Sequence, residues 1–173
     1  MEPLPSIRRA RNGDADASAR FLAHMFVVAY GHCSTPGNIR THVERAFSAA
    51  RIADELAAAD RTTLLAVASS GAIAGFAQLG FATKTPACVA GPAIELVRFY
   101  VGTEWHGSGL ADALMAETLA AVAPARGTLW LSAWEEAPRA LGFYRRNGFT
   151  VAGTTVFVVG DDPKQDLVMA RAV

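Results

Sequence analysis

The sequence predicts one mixed α/β domain, a mostly antiparallel sheet of about seven strands flanked by about four helices. Three observations carry this. The chain has 173 residues, 51% of them hydrophobic, enough for one core that buries roughly 70% of the surface its unfolded form exposes. The apolar period switches from helical to alternating after Asp60 and then returns to helical twice. Short turn signals separate the strand-like runs, with no linker, internal repeat or low-complexity tract to mark a boundary. Residues 1–173 are expected to form a single domain.

Residues 6–9 make a short extended start, and Asn12-Gly13-Asp14 is a turn that can also cap a helix. Over 15–26, Phe21, Leu22 and Met25 recur at helical spacing. Residues 30–37 (YGHCSTPG) read as a loop. The alanine-rich stretch 38–59, with Val43, Phe47, Ile52 and Leu56 along it, reads as one second helix. Residues 62–69 and 73–81 read as strands joined by Ser70-Gly71, a hairpin signal. Residues 83–92, with Gly91, Pro86 and Pro92, bulge out as a loop.

Residues 93–101 (AIELVRFYV) are the clearest strand. A glycine-rich turn, 104–109, leads into a helix to about residue 123, on which Ala111, Met115, Leu119 and Val122 form an apolar stripe. Residues 128–133 are a further strand. Residues 138–147 make a short helix with Pro138 in its first turn and Gly148 at its end. Strands at 154–159 and 167–172, separated by Gly160-Asp161-Asp162-Pro163, close the chain.

Composition removes several functional classes. Sixteen Lys and Arg balance sixteen Asp and Glu, whereas a dedicated nucleic-acid binder or a polybasic membrane-surface protein carries a basic surplus. No apolar run reaches the roughly 18 residues of a spanning helix. The first residues lack the apolar core of a signal peptide, so a cytoplasmic location is expected. Cys33 and Cys88 make no disulfide framework. His24, His32, His42 and His106 show no zinc spacing, and no metal is implied.

The sharpest chemical feature is the strand–turn–helix unit AIELVRFYV–GTEWHGSG–LADALM. A helix start rich in glycine offers backbone N–H groups and a positive dipole end to an anion. Gly107 and Gly109 let the backbone approach a phosphate, and Ser108 can add a hydroxyl donor. The same glycines can equally serve only a tight turn. A Walker A loop would need Gly-Lys-Ser/Thr where Gly109 is followed by Leu110, and a dinucleotide fingerprint would need glycine at Asp112.

Set against known families, His106-Gly107-Ser108-Gly109-Leu110-Ala111 resembles the acyl-CoA-binding turn of the GNAT superfamily of N-acetyltransferases, Gln/Arg-x-x-Gly-x-Gly/Ala, with His at the first position. Glu95-Leu96 with Phe99-Tyr100-Val101 looks like its fourth strand. Trp134-Glu135-Glu136 with Pro138-Arg139-Ala140 looks like the exit of its fifth. Phe143-Tyr144-Arg145-Arg146-Asn147-Gly148-Phe149 looks like its Phe-Tyr-x-x-x-Gly-Phe block. The agreement spans about residues 72–160. Residues 157–166 with Trp105-His106-Gly107 are similar to the bacterial polyamine acetyltransferase-like branch.

The resemblance implies acetyl-CoA as co-substrate and direct transfer of the acetyl group to a primary amine, on a small molecule, a polyamine or a peptide. An alkylamine with a pKa near 10.4 is less than about one part in a thousand neutral at pH 7, so a base is needed. The thioester oxygen needs a hydrogen-bond donor, and the departing thiolate benefits from an acid. Glu95 is the base candidate, an acid among apolar strand residues; a structural bond to a loop or to Arg98 is the other reading. Tyr144 is the acid candidate, with core packing as its alternative.

The backbone N–H of Val101 or Tyr100 would polarise the carbonyl if the strand splays or bulges. With Phe99, Tyr100, Val101 and Tyr144, residues His106, Gly107, Ser108, Gly109, Leu110 and Ala111 are the expected cofactor contacts. Ala137 joins them where the family usually has Asn, giving up an N-cap bond worth about 0.5–2 kcal/mol. For the acceptor, the lid is expected at 28–39, with Tyr30, His32 and Trp134 lining the pocket. A polycation would call for several acids, and residues 20–60 offer only Glu44, Asp54, Glu55 and Asp60.

A non-catalytic acyl-CoA-binding sensor or partner module is the alternative function, and a nucleotide-binding α/β domain the third. A homodimer is open, with Trp130 or the final strands as its interface.

Overall fold

The chain runs as β1 (Ser6–Arg9), α1 (Ala15–Tyr30), α2 (Pro36–Ala46), α3 (Ala49–Ala57), β2 (Arg61–Val67), β3 (Ile73–Gly80) and β4 (Ala93–Val101). It continues as α4 (Leu110–Val122), β5 (Thr128–Trp134), α5 (Pro138–Arg146), β6 (Thr150–Val159) and β7 (Asp162–Ala172). This is a computed structural model, and it describes residues 3–173. The seven strands form one sheet in the order β1-β2-β3-β4-β5-β7-β6. Every neighbouring pair is antiparallel except β4–β5. The predicted mixed sheet is therefore the observed one.

Three expectations are corrected. The long second helix is two helices: Phe47 ends α2, and Ser48 turns extended and accepts the Arg51 N–H at 3.3 Å, starting α3 as its N-cap. The α4 stripe is rotated, because Leu110, Leu114, Met115, Thr118 and Val122 are the buried residues, with Ala111 and Leu119 at its margin. The last two strands begin earlier than their apolar residues suggest, at Thr150 and Asp162, since backbone pairing extends past the apolar run. Pro163 is tolerated there because β5 pairs with β7 only as far as Asp166.

The sheet separates two cores. On one face α4 and α5 cover Leu79, Ile94, Leu96, Leu129, Leu131 and Met169. On the other, α1, α2 and α3 cover Leu65, Phe76 and Val159 with Leu22, Phe26 and Ile52. Trp130, which the sequence offered as an interface residue, is buried with Val89 and Val168.

The feature that positions the site is a failure of pairing at the centre. β4 and β5 pair only over Ala93–Glu95 and Thr128–Trp130. Beyond that point β4 stays with β3 up to Val101, while β5 stays with β7 up to Trp134. The β4 register also slips opposite Gln78 and Leu79, leaving Val97 as the extra residue of a bulge. Together, the bulge and the divergence split the sheet into a V.

Candidate active site

The V is a cleft of about 890 Å³, within the size range of small-molecule sites. Its walls come from β4 (Leu96 to Val101) and β5 (Ser132 to Trp134). One mouth is closed by the 105–109 turn and α5, the other by the end of α1 with His32.

At the first mouth, Gly107 and Gly109 have φ of +81° and +90°, and Gly109 is the N-cap of α4. No atom lies within 4 Å of where a Cβ would stand on either glycine. The first amides of α4 have no intrahelical partner, and they face an open space that a phosphate group can enter. Ser108 Oγ donates to Trp105 O at 2.7 Å and accepts from Leu110 N at 3.3 Å, holding the turn. His106 Nε2 meets Val101 O at 3.1 Å, tying the turn to the end of β4. Arg139 and Arg146 add positive charge to the lining and Asp112 and Glu136 negative. These features fit an anionic, pantetheine-bearing cofactor.

Deeper in, Phe99, Tyr100 and Val101 line the β4 wall. Gly102 N donates to Ala74 O at 2.8 Å, so alternation along the strand turns the Val101 N–H away from β3, into the gap that β5 leaves. Tyr144 is 9% exposed, lies in the cleft wall and packs edge-on against Phe99, Phe143 and Phe149. Burial first, then the nearby Tyr100, pushes its phenol above the ordinary value, so it holds its proton at neutral pH. Tyr100 is pushed up to about 12, again mainly by burial. Ala137 lines the cleft as the N-cap of α5 with no side-chain cap bond.

At the second mouth the predicted acceptor residues meet. Tyr30, the last residue of α1 rather than part of a loop, stacks on Phe26 and has its ring centroid 5.9 Å from that of Trp134. His32 is 5.8 Å from the same ring. Met25 and Val28 complete an apolar, aromatic chamber.

Glu95 lies apart from these residues and is not among those lining the cleft. It sits at the last β4–β5 pair, opposite Trp130 and Gly80. Burial raises its pKa, while a hydrogen bond from Thr83 and the fields of Arg61 and Arg98 pull the other way. Arg98 does line the cleft, but its salt bridge is to Glu55, not Glu95. Leu110 is fully buried beneath the turn, so its contribution to a cofactor would be its backbone.

Sequence reasoning missed Ser132, Phe143, Arg139 and Arg146 in the lining. It also missed Asp166, which is 3% exposed behind β5 and lies just outside the strand expected from Leu167 onward, because the apolar run begins only there. Among the described residues no helix is long and apolar enough to cross a membrane, and no group of three or more His, Cys, Asp or Glu could hold a metal.

Comparison with known proteins gives a consistent result. A family model described as an acetyltransferase (GNAT) domain matches residues 59–151. An uncharacterized N-acetyltransferase of Mycobacterium tuberculosis is 33% identical over 160 residues, covering 91% of this chain and 97% of its own. One from Lactobacillus delbrueckii is 25% identical over 150 residues, 86% of each. The chain also superposes on the PaiA N-acetyltransferase of Thermoplasma acidophilum, solved with coenzyme A, with a TM-score of 0.76 at 20% identity over 97% and 98% of the two chains. An acetyltransferase of the GNAT family from Streptococcus pneumoniae gives a TM-score of 0.68 at 18% identity over 99% and 100%.

Proposed function

Because the chain belongs to the GNAT family of acetyltransferases, it is an N-acetyltransferase that uses acetyl-CoA, and we propose direct transfer of the acetyl group to a small primary amine held in the aromatic chamber. One observation carries the reading. The sheet opens between β4 and β5 so that the turn at Gly107 and Gly109, the Val101 N–H, Tyr144 and the chamber all line one continuous cleft.

Acetyl-CoA supplies an activated acetyl group, and the chain's own residues do the rest. With the Ser108 and Leu110 N–H groups bonded within the turn, the amides of Gly107, Gly109, Ala111 and Asp112 are the ones that hold phosphate oxygens. The Val101 N–H donates to the carbonyl oxygen as negative charge develops there. Tyr144, kept protonated by burial, gives a proton to the departing sulfur. The ammonium nitrogen must first lose a proton to a carboxylate. Glu95 on β4, reached through water, is the residue that the family pattern favours; Asp166 on β7, behind the β5 wall, is a second buried carboxylate beside the cleft. Residues 1–173 act as one unit in this reading, since α1 and β5, far apart in the chain, together line the chamber.

The chamber favours an amine with a flat or apolar body. A polyamine would call for several acids, and Asp112 and Glu136 are the acids in the lining, beside Arg98, Arg139 and Arg146. The test is free-thiol release from acetyl-CoA with 2-phenylethylamine, spermidine, amino acids, an aminoglycoside and a short peptide with a free N-terminus. Amine-dependent release establishes transfer and ranks the acceptor classes. Saturable CoA binding with no release for any amine would replace this reading with a non-catalytic acyl-CoA sensor.

A further inference from the structure

We propose that Ser132 and Asp166 form a relay that takes the proton from the acceptor amine. The proposal rests on the acetyl-transfer reading and assigns the one step that reading leaves between two carboxylates.

Asp166 on β7 is the register partner of Trp134 on β5, and Ser132 stands two residues earlier on β5. Alternation puts all three side chains on the sheet face that Tyr30 covers. Ser132 is exposed and lines the cleft. It is the diagonal neighbour of Asp166 across the β5–β7 pair, and it draws the Asp166 carboxyl toward its ionised form. Asp166 itself is 3% exposed, and its Oδ1 has no hydrogen-bond partner among the described residues. A buried, incompletely bonded carboxylate is costly, and among the described residues no cation forms a salt bridge with it. Lys164, two residues earlier, is committed to Asp162 at 2.9 Å and to Cys33 O at 2.7 Å.

The other groups that face Asp166 are acids and phenols. Glu135, at the exit of β5, raises its pKa further; Tyr30 from α1 and Tyr100 from β4 both feel its charge. Burial foremost outweighs the opposing pull of Ser132 and, with a smaller contribution from Glu135, brings the Asp166 carboxyl up to about 6. A base works best with a pKa close to the operating pH. Neither carboxylate is itself in the lining; Asp166 has the lining residue Ser132 as its diagonal neighbour, whereas Glu95 is held toward its ionised form by Thr83 and the fields of Arg61 and Arg98.

In the step, a proton passes from the ammonium nitrogen to Ser132 Oγ while the hydroxyl proton of Ser132 passes to Asp166. The neutral nitrogen forms the C–N bond to the acetyl carbon, and the C–S bond breaks with its electron pair leaving on sulfur. Tyr144 gives its proton to that sulfur. The second proton lost by nitrogen restores Tyr144 through solvent, and Asp166 releases its own proton to solvent.

The test measures thiol release with 2-phenylethylamine, spermidine and the peptide across pH 5–10 for wild type, Ser132→Ala, Asp166→Asn and Glu95→Gln. Calorimetric CoA binding and a melting curve accompany each variant. Expected for Ser132→Ala and Asp166→Asn is a kcat loss of about 100-fold at pH 7, with CoA binding intact. The gap should narrow toward pH 10, where more of the amine is already neutral. The acidic limb near pH 6 should vanish in Asp166→Asn and survive in Glu95→Gln. Ser132→Ala and Asp166→Asn enzymes that match an active wild type overturn the relay alone. So does loss of the limb in Glu95→Gln with its retention in Asp166→Asn. A wild type with no release for any probe overturns the transfer reading and the relay with it.

Discussion

Arg98 on β4 and Glu55 on α3 form a salt bridge beside the cleft, with side chains 14% and 10% exposed. Arg98 also donates to Gln78 Oε1 at 2.8 Å, which in turn accepts from Arg61 at 3.2 Å. Gln78 donates to Thr63 at 3.2 Å. The pair fastens α3 to the strand whose bulge opens the V. Removing one partner of a buried ion pair strands the other charge, typically at a cost of about 3 kcal/mol. Glu55→Ala should therefore lower the melting temperature by roughly 10 °C. Burial pushes the Glu55 carboxyl up, but the Arg98 bond and the fields of Arg98, Arg61 and Arg51 leave it net below its ordinary value. A lowered folded pKa contributes stability above the unfolded pKa and loses it as pH falls through the folded one. The difference between wild type and Glu55→Ala in melting scans should thus shrink in acid; a difference that grows there would contradict the assignment.

Tyr144→Phe keeps the ring contacts with Phe99 and Phe149 and removes only the proton. We expect kcat to fall about 100-fold, with CoA affinity and melting temperature close to those of wild type. Stopped-flow thiol release separates the outcomes. An unchanged kcat would reduce Tyr144 to a packing residue.

What the sequence revealed and what it hid follow from the range of the interactions. The turn at Gly107 and Gly109, the β4 strand and the Phe143-Tyr144 block are local patterns, and each was legible residue by residue. The split of the second helix depended on Ser48 acting as a cap inside an alanine-rich run, a signal that uniform helical propensity concealed. Asp166 was hidden for a different reason. Its burial comes from pairing with Trp134, 32 positions away in the chain, and a carboxylate at the edge of an apolar run reads locally as lying outside the strand. Likewise, the exposure of Ser132 results from β4 leaving β5 after Glu95, which no local window contains.

Ala137 opens α5 without a side-chain cap, with its own carbonyl accepting the Leu141 N–H at 3.0 Å. An Asn at this position would satisfy an orphan donor of the first turn, worth about 1 kcal/mol. Ala137→Asn should raise the melting temperature by a few degrees and tighten CoA binding, as measured by calorimetry, because the residue lines the cleft. Tighter folding with weaker CoA binding would mean that the larger side chain obstructs the arm.

Asp166 makes a further claim that needs no substrate. Burial holds its folded carboxyl near 6, while the ordinary aspartate value is 3.8. In the unfolded chain Asp166 ionises near the lower value; in the folded chain it keeps its proton until the higher one. The folded state therefore binds more protons between the two, and stability falls as pH rises through that window. Above it the penalty is constant, on the order of 2–3 kcal/mol for a shift of about two pKa units. Below it the penalty is absent. Asp166→Asn removes the ionisation and keeps the shape, so the variant should be more stable than wild type at pH 8 and no more stable at pH 4. Urea unfolding at the two pH values measures this directly. Equal stabilities at pH 8 would mean that Asp166 is solvated or paired, and its use as a proton acceptor would lose its physical basis. A more stable but slower variant would show that the fold retains this carboxylate for chemistry rather than for packing.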